Sequence, residues 1–321
     1  MTRAPREPAA ARAIVRGDRR ALARAITSVE NGDAAADPIL RSLYARAGRA
    51  RVVGLTGPLG VGKSSVLSLL VAHLRERGLS VGVVAVDPSS PFSGGSVLGD
   101  RVRFDRAPED EGVFFRSMAS RGAAGGVAVT TREVVRLLDA AGFEVVIVET
   151  VGSGQVDIAI RDIATTRVVV LVPHLGDDVQ TLKAGLFEIA DVFCVNKSDL
   201  PGAELAEKDL SELASFSPPR NGWRPSVVRT SAVTPAGIPE LWRAIEAHEK
   251  FLDDTDGRGA MERRRLAQEI VGRARDRISA DLTDRLESDP ELRGLLDRVA
   301  ARTLDPRSAA DRLVRDLLRE P

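Results

Sequence analysis

Eight residues, Gly57-Pro-Leu-Gly60-Val61-Gly62-Lys63-Ser64, narrow the possible folds more than any other part of the chain. They fit the pattern G-x-x-x-x-G-K-[ST], which works only as a loop between a strand and a helix. The apolar run VVGLT precedes them and a helical stretch from Ser64 to Arg77 follows. Glycines let a backbone curl around a phosphate chain with its N–H groups turned inward, and the helix start adds a dipole that favours anions. Lys63 is expected to reach the β- and γ-phosphates and the Ser64 hydroxyl to ligate Mg²⁺, with Gly57, Gly60, Val61, Gly62 and Ser65 completing the cradle. The rival reading, a glycine-rich turn that happens to contain a lysine, does not explain a strand and a helix on the correct sides.

The surrounding pattern agrees with such a loop. From Arg51 to about Leu252, short β-branched runs (VVGLT, VGVVAVD, VVIVET, VVVLVP, DVFCVN, SVVRTS) alternate with helical stretches. This alternation predicts an α/β fold of the P-loop NTPase kind, a mostly parallel central sheet with helices on both faces. Before it, from Ala9 to about Arg46, apolar residues recur at helical spacing with a break at Asn31-Gly32-Asp33, which reads as two short appended helices. After Asp256-Gly257 the chain becomes rich in Arg, Asp and Glu, with Leu, Ile and Val at helical intervals; Pro290 and Pro306 divide it into about three helices. The expected division is an N-terminal helical extension at 1–48, a P-loop domain at 49–254 and a C-terminal helical arm at 255–321. An amphipathic arm cannot bury its apolar stripe alone, so it is expected to pack on its own domain or, as a dimerisation arm, on a second copy.

Composition removes several classes. With 321 residues, 43% apolar and 29% charged, the chain is long enough to bury a substantial core. Lys+Arg 46 against Asp+Glu 46 gives no net charge, which argues against a general nucleic-acid binder. The single cysteine, Cys194, leaves no intramolecular disulfide framework or cysteine-rich zinc site and fits a reducing cytoplasm. No apolar run reaches membrane-spanning length, and the N-terminal MTRAPREPAAARAIVRGDRR lacks the apolar core of a secretory signal, so a cytoplasmic location is expected.

Further motifs name the base. Asn196-Lys197-Ser198-Asp199 closes the run DVFCVN and fits N-K-x-D. The Asp199 carboxylate can accept from N1–H and the exocyclic amine of guanine, whereas adenine offers no donor at either place and leaves a desolvated charge unpaired. Asn196 is expected to brace neighbouring loops, the Lys197 stem to cover the base, and Ser231-Ala232 to supply a backbone contact to the guanine O6. An ordinary Asn-Asp loop after a strand is the alternative, and the phosphate loop upstream weighs against it. The strand VVIVE ends in Glu149-Thr150-Val151-Gly152, where many GTPases carry D-x-x-G; Glu149 can hold a magnesium-bound water and the Gly152 N–H can meet the γ-phosphate. A second acidic strand end, Asp87, leads into a Pro/Ser/Gly segment that reaches Asp100-Arg101-Val-Arg103. Asp87 and Asp100 are expected near Mg²⁺, although Asp100 also reads as a helix N-cap. Arg103 could neutralise transition-state charge, or be an exposed helical arginine. Ser153 stands where many GTPases place a water-orienting glutamine and Gln155 lies further on, so slow intrinsic turnover is expected.

Taken in order, GPLGVGKSS, VDPSSPFSGGSVLGDRVRF, GGVAVTTREVVRLLDAAGFEVVIVETVGSGQ, GDDVQTLKAG and NKSD resemble the methylmalonyl-CoA mutase-associated GTPases of the MeaB/ArgK type. The likeness runs from about Ala11 to Leu252, with the helical tail compatible in kind. It implies a dimeric P-loop GTPase that uses GTP/GDP and Mg²⁺ and chaperones an adenosylcobalamin-dependent acyl-CoA mutase, gating delivery of intact cofactor and removal of damaged cofactor. It carries phosphate and metal roles to Lys63, Ser64, Asp87, Asp100 and Glu149, the hydrolytic arginine to Arg103, and communication with the mutase to Gln155, Asp177 and Lys183. An older family label, a kinase for arginine and ornithine transport, conflicts with the guanine-selective NKSD. Departures at Phe115-Arg116-Ser117-Met118 and Pro173-His174-Leu175-Gly176-Asp177 leave nucleotide chemistry intact and bear on the partner surface. Two rivals share the nucleotide fold: a nickel-insertion GTPase, which would need a Cys/His cluster that Cys194, His73, His174 and His248 do not form in sequence, and a P-loop small-molecule kinase with Asp87 as base.

Overall fold

The computed structural model describes residues 7–88, 110–120, 124–150, 155–173, 185–216 and 218–317. They fall into two compact units, 1–258 and 259–321. In chain order the first unit contains α1 (Ala9–Val15), α2 (Arg19–Asn31), α3 (Ala36–Leu43), β1 (Arg51–Thr56), α4 (Lys63–Glu76), β2 (Val81–Pro88), β3 (Val113–Ser120), α5 (Ala124–Ala140), β4 (Val145–Thr150), α6 (Gln155–Ile163), β5 (Thr166–Leu171), α7 (Leu186–Ile189), β6 (Val192–Val195), α8 (Ala203–Phe216), β7 (Ser226–Arg229) and α9 (Ile238–Asp254). The second is helical: α10 (Gly257–Ser288, which begins just inside the first unit), α11 (Pro290–Ala300) and α12 (Pro306–Leu317). The breaks at Asp289-Pro290 and before Pro306 follow the proline rule, since proline starts a helix but cannot continue one.

The strands form one sheet in the order β3-β2-β4-β1-β5-β6-β7, and every registered pairing in it is parallel. Alternate residues of each central strand serve two separate cores, as a sheet covered on both faces requires. Val145 and Ile147 of β4 and Val168 and Val170 of β5 pack with α4 and α9, around Leu67, Leu70, Trp242 and Ile245. Val146 and Val148, with Val169 and Leu171, face the opposite way, toward α5 and α6 and residues such as Leu138 and Ile160.

Two expectations change. The sheet has a seventh strand, β3, which the runs of β-branched residues did not reveal: VFFRSMAS carries an arginine and two serines and lies at the sheet edge, where one flank needs no apolar partner. The N-terminal segment forms three helices and a short 3-10 turn (Tyr44–Arg46) rather than two helices. The extra break falls at Gly17, with φ of 85°, followed by Asp18, whose carboxylate caps α2 by accepting from the N–H groups of Arg20 and Ala21. These helices are a layer of the main core: Ala21, Leu22, Ala25, Ile26 and Val29 of α2 are buried in the same cluster as Leu137 and Leu138 of α5.

Candidate nucleotide site

The C-terminal ends of β1, β4, β6 and β7 point to one edge of the sheet, where parallel α/β folds place their ligands. The chain leaves β1 at Gly57, which has φ of 142° and whose added Cβ would stand 2.2 Å from the Val170 carbonyl oxygen of β5, so no other residue fits this exit. The loop returns at Gly62, the N-cap of α4, with φ of 88°; a Cβ there would lie 2.5 Å from the Asn196 amide nitrogen. Lys63, the next residue and buried despite its charge, donates from Nζ back to the carbonyls of Gly57 at 2.7 Å and Pro58 at 2.8 Å. Its ammonium is thereby held across the mouth of the loop. Ser64, at the start of α4, donates from Oγ to Glu149 Oε1 at 2.7 Å, and Glu149 is buried at the end of β4. The hydroxyl and carboxylate, 85 residues apart in sequence, thus share one spot beside the loop.

The base-reading segment is tied to the same loop. Asn196, buried after β6, donates from Nδ2 to the Val61 carbonyl at 2.8 Å and accepts from the Thr230 hydroxyl at 3.2 Å. Lys197, in a left-handed conformation with φ of 57°, donates from Nζ to the Gly60 carbonyl at 2.9 Å. That places its aliphatic stem over the gap between the two loops. The Ser231 hydroxyl donates to the Asp199 carboxylate and accepts from the backbone N–H groups of Val233 and Thr234, each at 3.2 Å. Asp199 is therefore fixed beside Ser231 and Ala232. Cys194, one strand residue below, is buried, and burial pushes its thiol up to about 12 against a smaller opposing effect of the Thr230 hydroxyl, so it stays a neutral thiol.

Sequence reasoning brought together Gly57, Gly60, Val61, Gly62, Lys63, Ser64, Ser65, Glu149, Asn196, Lys197, Asp199, Ser231 and Ala232 from four separate strand ends. Asp87 lies near the end of β2, in register with Ala119, and Gln155 is the first residue of α6. Asp100, Arg103, Gly152, Asp177 and Lys183 lie outside the described residues. Sequence reasoning gave no task to Thr56 and Thr150, the terminal residues of β1 and β4, whose hydroxyls meet at 2.9 Å with both residues buried. Their signal was present: each is a threonine closing a strand with an apolar centre, one before the phosphate loop and one after the acidic switch position.

A parallel sheet that sends a glycine-rich phosphate loop from its central strand and an N-K-x-D segment from the strand next but one defines a P-loop GTPase. Comparison with known proteins narrows the class. Residues 22–288 match the sequence profile of the family described as methylmalonyl-CoA mutase-associated GTPase MeaB. A protein of Pyrococcus abyssi to which the name GTPase is provisionally given is 45% identical over 309 residues, covering 94% of each chain. The methylmalonic aciduria type A homolog, mitochondrial, of Mus musculus is 32% identical over 324 residues, covering 94% of this chain and 77% of that one. A crystal structure described as an LAO/AO transport system kinase superposes with a TM-score of 0.73 at 26% identity, covering 96% of each chain. This chain belongs to the methylmalonyl-CoA mutase-associated GTPase family, and it is a GTPase.

Proposed function

We propose that the chain is a Mg²⁺-dependent GTPase that chaperones an adenosylcobalamin-dependent acyl-CoA mutase, gating cofactor delivery and protecting or reactivating that enzyme. The match of residues 22–288 to a family described by its association with methylmalonyl-CoA mutase carries this reading. The name of the mouse relative, which refers to methylmalonic aciduria, supports it.

In this reading the N-terminus of α4 and the loop backbone hold the triphosphate, and the Lys63 amine turns from the carbonyls of Gly57 and Pro58 to the β- and γ-phosphate oxygens. The donor pair Ser64 Oγ and Glu149 Oε1 fits a magnesium ion, since both are hard oxygens already converged at 2.7 Å beside the phosphate cradle. Ser64 would bind it directly and Glu149 through water, with Asp87 and Asp100 as the further acidic groups. When bound, Mg²⁺ supplies charge neutralisation at the β- and γ-phosphates. Asp199 accepts from the guanine N1–H and amine, Ala232 donates its N–H to O6, and the Lys197 stem covers the base. In the same reading Arg103 would neutralise charge on the transferring phosphate, the Gly152 N–H would meet its γ-oxygens, and Gln155, Asp177 and Lys183 would transmit nucleotide state to the mutase. Intrinsic hydrolysis would be slow and the mutase would raise it.

Two further parts of the proposal concern the whole chain. The second unit exposes Ile270, Val271 and Ile278 along α10, which supports a homodimer built on this arm. Among the described residues no helix is long and apolar enough to cross a membrane. A lone buried thiol agrees with a reducing cytoplasm as the site of action. The test is GTP hydrolysis by the purified chain, alone and with adenosylcobalamin-dependent acyl-CoA mutases added one at a time, with ATP as control. Stimulation of GTP turnover by one mutase, without stimulation of ATP turnover, is expected and identifies the partner. GTP turnover indifferent to every mutase overturns the chaperone reading and leaves the GTPase.

A further inference from the structure

β1 and β4 both end on threonines, and the hydroxyls of Thr56 and Thr150 lie 2.9 Å apart with the residues 0% and 1% exposed. The last registered backbone pair between these strands is Leu55↔Glu149. The hydroxyl pair therefore extends the contact by one residue, to the point where one chain turns into the phosphate loop at Gly57 and the other leaves past Glu149. Because side chains alternate across a sheet, Leu55 and Glu149 face α4 while Thr56 and Thr150 face the opposite layer. On that side α6 is pressed against β1: a Cβ on Gly54 would lie 2.6 Å from the Ile160 side chain and 2.8 Å from the Ala164 Cβ. The two threonines thus sit where the root of the phosphate loop, the acidic switch residue and the layer containing α6 converge.

We propose that the Thr56–Thr150 hydrogen bond is a positioning latch for hydrolysis, fixing the lateral spacing between the phosphate loop and Glu149 so that Glu149 stays opposite Ser64. The proposal rests on the reading of Glu149 as a group that acts at the metal and its water. A bond between two buried hydroxyls is directional and resists sliding, whereas two methyl groups in the same place pack without fixing the spacing. Small displacements at a reacting centre cost far more in turnover than in binding. Loss of the latch should therefore appear in kcat and in the Mg²⁺ dependence of turnover, while affinity for GDP, held by the loop backbone and the base pocket, stays near its original value.

The test measures steady-state GTP hydrolysis over a Mg²⁺ titration, together with calorimetric GDP binding, on the full chain carrying Thr150→Val, Thr56→Val, both together, Thr150→Ser or Glu149→Gln. The expected result is a kcat at least about fivefold lower in either valine variant, with a higher Mg²⁺ requirement and a GDP Kd within about twofold. The double variant should lose clearly less than the two single losses combined, because the bond they share is already gone in either one, and Thr150→Ser should restore kcat to within about twofold. Where a single variant fails to fold, the double one, which replaces both partners by apolar groups of the same shape, is read against the same thresholds. A valine-variant kcat within twofold of the original, additive losses in the double variant, or no recovery with serine overturns the latch. If Glu149→Gln also leaves kcat unchanged, the reading of Glu149 itself fails; if it abolishes turnover while the valine variants stay active, only the latch fails.

Discussion

A carboxylate can select guanine only if it is held still and its remaining hydrogen-bond capacity points at the base. Asp199 meets the first condition through Ser231, whose hydroxyl donates to it while two backbone N–H groups, of Val233 and Thr234, hold that hydroxyl in place. The second follows from chemistry, since a carboxylate accepts and never donates at neutral pH. Asp199→Asn presents an amide that can both donate and accept, which suits the oxygen at C2 of xanthine. We expect GTP affinity to fall at least about a hundredfold and XTP to become the better ligand. Competition binding with the two nucleotides measures this, and unchanged relative affinities would refute the base assignment. At this scale the phosphate loop and NKSD were legible because their chemistry lies within a few consecutive residues. Thr56 with Thr150, or Lys63 with the Gly57 and Pro58 carbonyls, were not, because a contact across 94 residues, or a lysine turned back on its own loop, has no local signature.

Elements are held by similar long-range contacts at the edge opposite the site. Asp139, near the C-terminus of α5, accepts from the backbone N–H groups of Gly48, Arg49 and Ala50, the link that carries the chain from the N-terminal helices into β1. One buried carboxylate thus satisfies three donors that no strand or helix reaches. Asp139→Asn keeps the shape but turns an N–H₂ group toward a backbone donor. The expected loss is about 1–3 kcal/mol of stability, read from urea unfolding, with GDP affinity unchanged because α5 presents its other end to the site. A midpoint unaltered within error would show that the link is held by something else. Sequence reading succeeded for the strands buried on both faces, whose β-branched runs are long. It missed β3, an edge strand that pairs only with β2 among the described residues, and divided the N-terminal helices too coarsely because Gly17-Asp18 was not read as a stop followed by a cap.

Across the whole first unit, a buried ionic network joins β5, β6, α9 and the turn at Arg220-Trp223, on the side of the sheet away from the nucleotide. Asp191 accepts from two guanidinium nitrogens of Arg167, Nε and Nη2, and from Arg220, while His248 faces it at 3.5 Å and packs on Trp223. Burial lowers the His248 pKa from the ordinary imidazole value; the Asp191 carboxylate opposes that, and Arg167 adds to it. The folded protein thus holds His248 neutral where the unfolded chain would protonate it. The contribution is fully present above the ordinary imidazole pKa and is lost as pH falls through it toward the lower folded value, by at most about 1.4 kcal/mol per pH unit. Urea midpoints should therefore fall between pH 7.5 and 5.5 by more in the wild type than in His248→Asn, and equal falls would exclude His248 as the cause. The second unit makes a different demand. Val271 and Ile278, seven residues apart on α10, lie on one stripe and are 67% and 44% exposed, so a chain on its own leaves that stripe wet. If a second copy covers it, Val271→Glu with Ile278→Glu places two unpaired charges in the interface and should weaken self-association at least about a hundredfold. Light scattering should then give the mass of one chain where the unmodified protein gives two, while GDP binding by the first unit persists. Equal masses before and after the substitutions would move the dimer contact elsewhere.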